Sequence, residues 1–108
     1  MKIPKSIKIG GHWYEVKLPY VFQERFDRVD QADHEKLWIM VSEVDGNGSK
    51  RASSVIIETL IHEILHCLNY RSGDVIFDKD TYKMEDQISA LSEAIIAFLV
   101  DNGYIDAI

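Results

Sequence analysis

Polar and apolar positions alternate along the first part of the chain. Ile7 and Ile9, then Tyr14, Val16 and Leu18, are spaced by Lys8, Glu15 and Lys17, with Gly10-Gly11 between the two runs. A period of two broken by two glycines predicts a half-buried β-hairpin, and Pro19 ends its second strand. Residues 20–35 are polar and aperiodic and predict a loop or a short strand returning toward the sheet. Alternation resumes from Lys36 to Val44, with Leu37, Ile39 and Val41 on one face and Trp38 and Met40 on the other. Asp45-Gly46-Asn47-Gly48-Ser49 interrupts it. The D-x-N-x-S order is that of a calcium loop, but Lys50 and Ile56 stand where such a loop needs glycine and glutamate, so a turn is expected.

The period then changes to that of a helix. A first helix is expected from Ser53 or Ser54, either of which can cap it, to about Ser72, where Gly73 can take the left-handed conformation. A second is expected from about Thr81 to Asp101, stopping at Asn102-Gly103. Strands followed by helices predict a single α+β domain over residues 1–108, with a small antiparallel sheet and two main helices packed on one side of it.

Composition narrows the function classes. Apolar residues make up 46% of the chain, enough for one small core. The net charge of −6 disfavours nucleic acid or an anionic membrane as a partner. The apolar stretch Ile88–Val100 is too short to span a bilayer and contains Glu93, and the opening Met1-Lys2-Ile3-Pro4-Lys5 does not read as a signal peptide. The single cysteine excludes an internal disulfide. A soluble, cytoplasmic protein is expected.

The first helix carries the chemistry. In TLIHEILHCL, residues 59–68, two histidines and a glutamate interrupt a run of isoleucine and leucine. At about 100° per residue, Ile57, Leu60, Ile61, Ile64, Leu65 and Leu68 cover one broad side, and Glu58, Thr59, His62, His66 and Asn69 share the other. His62 and His66 therefore point the same way and can reach one ion at roughly 2.0–2.1 Å. Glu63, on the flank of that stripe, can approach a water at the metal without ligating it. This is the H-E-x-x-H arrangement, two ligands and a general base on one helix. The plainer alternative is a pair of core histidines bonded to backbone beside a surface glutamate. Cys67 faces away from the histidines and reads as a small buried apolar residue. Trp13, Tyr14, Phe22 and Trp38 read as core or sheet-face residues, and His12 and His34 as solvated.

Two histidines do not complete a catalytic zinc site, which takes three protein ligands and an open position. Asn69 to Gly73 hold no third histidine, so the metzincin pattern is absent. Glu85, Asp86 and Glu93 on the second helix are the remaining candidates. Glu93 is the only charge between Gln87 and Val100, and a buried carboxylate is costly unless paired or metal-bound.

The segments KIPKSIKIGG, LPYVF, DGNGSKRAS, TLIHEILHCL and SEAIIAFLVDNGY together resemble a minimal gluzincin. The chain is similar to small phage and prophage metallopeptidases, to ImmA/IrrE-type peptidases and to minigluzincins. The resemblance implies a zinc-dependent peptidase with one Zn2+ per chain, ligands His62 and His66, and Glu63 as base. It also bears on the third ligand. The interval Cys67–Met84 between His66 and Glu85 is a spacing familiar from gluzincins, and Glu85, Ile88 and Leu91 match the ImmA/IrrE-type pattern. Against this, Ser92-Glu93-Ala94 is similar to the S-E-G stretch of some gluzincins. Glu85 is preferred, with Glu93 second.

The expected substrate is a peptide or protein, added as a further strand on a free edge of the strand Lys36–Val44. Tyr70, Tyr82, His34 and His12 are candidates for the donor that stabilises an oxyanion. A chain this short lacks a second wall for the cleft, which a homodimer or another partner could complete. A catalytically silent metal-binding scaffold, serving as an interaction or regulatory module, is the alternative function. A third reading makes residues 102–108 a plug that keeps the chain latent.

Overall fold

A computed structural model describes residues 3–23 and 28–105. The glycine pair forms the expected hairpin: β1 (Ser6–Ile9) and β2 (His12–Lys17) are antiparallel, with Ile9 opposite His12. Gly10 and Gly11 have φ of +56° and +81°, the left-handed values a two-residue hairpin turn requires. The polar region contributes β3 (Asp30–Asp33), which pairs antiparallel with β4 (Trp38–Val41). Residues 24–27 of that region lie outside the description.

The sheet order is β1-β2-β4-β3. β4 runs parallel to β2, so the sheet is mixed rather than purely antiparallel. Ile39, Met40 and Val41 are all buried, as in an inner strand covered on both faces. The polar Asp30-Gln31-Ala32-Asp33 can occupy the edge instead. This corrects the expectation that the Lys36–Val44 strand has a free edge. Among the described residues, that edge belongs to β3.

Two helices follow, α1 (Ser53–Arg71) and α2 (Thr81–Asp101). The cap of α1 is Ala52, without a side-chain hydrogen bond, so neither Ser53 nor Ser54 caps it; both lie inside the helix. It ends as expected at Ser72, with Gly73 left-handed at φ +77°. Asp80 caps α2 by accepting from the Lys83 amide at 3.0 Å. The loop at residues 45–49 is a turn in which Asp45 Oδ1 accepts from the amides of Asn47 and Ser49.

The core lies between the sheet and α1 and contains Ile9, Tyr14, Ile39, Val41, Ile56, Leu60 and Cys67. The α1 residues that enter it, Ile56, Leu60 and Cys67, share a stripe with Glu63, which is only 6% exposed. The buried side of α1 is therefore not the one hydropathy alone selects. Leu68 is exposed, while Glu63 and Asn69 are buried, because α1 is covered by β1, β3 and β4 and also by α2. Asn69 earns its place by bonding: its Oδ1 accepts from the amides of Ile76 and Phe77, both at 3.1 Å, and so ties the α1–α2 connection to α1. On α2 only Ile88 and Ser92 are fully buried. Among the described residues, no helix is long and apolar enough to cross a membrane.

Candidate metal centre

The one-turn spacing of His62 and His66 puts their ring centroids 5.0 Å apart on the same side of α1. One ligand-capable atom from each of His62, Glu63 and His66 lies within 4.8 Å of the others. From α2, Glu85 faces both imidazoles, its Oε2 lying 3.2 Å from His62 Nε2 and its Oε1 2.8 Å from His66 Nε2. Two imidazole nitrogens and a carboxylate thus converge, a donor set that suits zinc. Burial holds His66 below the usual histidine range despite the charge of Glu85, so the ring is neutral at pH 7, the form in which imidazole binds metal.

Glu93 lies elsewhere. It is exposed, beside a smaller cleft of about 180 Å³ that it shares with Asp30, Glu58 and His62. The case for it as a costly buried carboxylate fails, because α2 buries one narrow stripe and Glu93 is off it. Asp86 is exposed as well.

A cavity of about 360 Å³ opens over these groups, bordered by His62, Glu63, His66 and Glu85 from the helices and by Arg28, Asp30, Gln31, Ala32 and His34 from β3 and its flanks. Glu63 is an inner wall of this cavity rather than a residue on an exposed flank. Burial, hydrogen bonding to the Asp30 carboxyl, and the charges of Asp30 and Glu85 push its pKa up to about 9, against a smaller opposing pull from Arg28. The side chain is therefore a neutral acid at pH 7 when no cation is near.

Of the four candidate oxyanion donors, only His34 borders the cavity. Tyr70 stacks on His34, with centroids 3.9 Å apart and planes 6° apart. Tyr82 is 84% exposed on α2, and His12 is exposed at the hairpin. Of the C-terminal segment, residues 102–105 turn back onto α2, where the Tyr104 amide donates to Leu99, and do not border the cavity; residues 106–108 lie outside the description. Cys67 is buried in the core, where burial and the neighbouring Glu63 push its thiol up to about 12. Asp30 and Arg28 could not be found from sequence, because the region that supplies them has neither a hydrophobic period nor a motif.

Comparison of the chain with protein-family models, with curated proteins and with solved structures returns no match.

Proposed function

We propose that this protein is a zinc-dependent peptidase. The observation that carries the reading is the meeting of His62, His66 and Glu85 in one cavity with Glu63 in its wall. His62, His66 and Glu85 would hold the metal. A divalent cation bound there would supply the Lewis acidity that polarises a carbonyl and acidifies a water. Glu63 takes a proton from the attacking water and returns it to the departing amine. It must ionise first, and a nearby cation favours its carboxylate form. Among the described residues β3 is the outer strand, it borders the cavity, and its edge suits an extended peptide added as a further strand.

One observation favours a silent metal-binding module instead. Burial and the neighbouring Asp30 push the Glu63 pKa up to about 9, and a protonated acid cannot act as a base. Glu63→Gln separates the two. In a peptidase the variant keeps its metal and loses cleavage of any peptide that the wild type cuts. Equal cleavage by the variant would remove Glu63 as the base. A wild type that binds metal and cuts none of a diverse peptide library would favour the binding module.

A further inference from the structure

His34 follows β3 and borders the same cavity as the two α1 histidines. Its surroundings fix more than its position. Nδ1 lies 2.9 Å from the Tyr14 hydroxyl. That hydroxyl accepts from Arg71 Nε at 3.0 Å, and Arg71 also donates to the His34 carbonyl at 3.3 Å. Tyr70 covers one face of the imidazole.

The proton positions follow from the donor inventory. Arginine has only donors, so the Tyr14 oxygen receives a hydrogen from Arg71. Tyr14 is fully buried, and burial raises its pKa, so the phenol keeps its own proton and must place it. The acceptors at hand are His34 Nδ1 and the Cys67 thiol, and sulfur is a weak acceptor. The proton therefore goes to Nδ1. A neutral imidazole that accepts at Nδ1 carries its hydrogen on Nε2. Burial and the Arg71 charge lower the pKa of His34, which keeps the ring neutral.

We propose that Arg71 and Tyr14 lock His34 in the neutral Nε2–H form, and that this N–H donates to an oxygen of the ligand in the metal-site cavity, a peptide carbonyl or a carboxylate. The choice of ligand rests on the peptidase reading; the tautomer does not. Arg71 and Tyr14 are positioning residues in this account. The opposite tautomer would leave a lone pair on Nε2 and make that nitrogen an acceptor rather than a donor. The β1–β2 turn takes part too. A Cβ at Gly10 would stand 2.6 Å from Arg71 Cβ, so only glycine lets Arg71 pass.

The test is long-range proton–nitrogen correlation NMR on the full chain, labelled with 15N-histidine and freed of metal, with His34→Gln used to assign the signal. His34 should show a bare Nδ1 and a protonated Nε2. Tyr14→Phe should shift the ring toward the Nδ1–H form, and Arg71→Met, which removes the donor to the Tyr14 oxygen, serves the same purpose if Tyr14→Phe does not fold. A wild-type Nδ1–H signal, or a tautomer indifferent to both changes, overturns the proposal. In zinc-loaded protein, His34→Ala should weaken acetohydroxamate binding roughly tenfold while zinc affinity is kept. Unchanged acetohydroxamate affinity removes the donor role, and a loss of zinc affinity makes His34 a ligand. If wild-type protein takes up no zinc, the peptidase reading falls, while the tautomer in metal-free protein still decides this one.

Discussion

Glu63 is a carboxyl held inside the fold, on the stripe of α1 that carries Ile56, Leu60 and Cys67 into the core. Its pKa of about 9 in the fold, against an ordinary 4.5, has a consequence for stability. Between these values the folded chain binds more protons than the unfolded one, so the contribution is fully present below pH 4.5 and is lost as pH rises toward 9. Urea unfolding of metal-free protein should show stability falling across that window, and Glu63→Gln should flatten the curve. An equally steep fall in the variant would mean that another group is responsible. Cys67 makes a second prediction at this scale. With its thiol buried and pushed up to about 12, it should resist iodoacetamide at pH 8 in folded protein and react once unfolded. Rapid modification of the folded chain would contradict this. His62 and His66 were legible because four residues along a helix is a fixed geometric relation. The burial of Glu63 and Asn69 was not, because one period cannot reveal that a helix is covered from two sides.

Among the elements, both helices follow from period and glycine stops, and the first hairpin from its glycine pair. β3 was left open between a loop and a short strand, because Asp30-Gln31-Ala32-Asp33 has no apolar alternation and its pairing with β4 makes it a strand. The inner place of β4 was hidden, since alternation says which face a residue takes and not which strand lies beside it. Two contacts between elements can be tested. Gly10→Ala combines a left-handed backbone with a collision at Arg71 and should cost about 1–3 kcal/mol in urea unfolding. Asn69→Ala leaves the amides of Ile76 and Phe77 without their acceptor and should cost about 1–3 kcal/mol. A loss within about 0.5 kcal/mol in either variant would mean that the loop relaxes around the change.

For the molecule as a whole, the fold explains how so short a chain can assemble a site. α1 supplies His62, Glu63 and His66, α2 brings Glu85 opposite them, and β3, the outer strand among the described residues, closes the third side with Asp30. β3 is held by its pairing with β4, and the helices by packing on each other and on the sheet, so these side chains are brought together by the fold. Under the proposed peptidase reading, the occupant of the β3 edge is an extended peptide. The central claim is that His62 and His66 share an ion with Glu85. Elemental mass spectrometry of protein purified without added metal or a histidine tag tests it most directly. The account predicts about one zinc per chain, lost in Glu85→Ala and kept in Glu93→Ala. No metal in the purified protein, and none taken up when zinc is added to a folded sample, would contradict it.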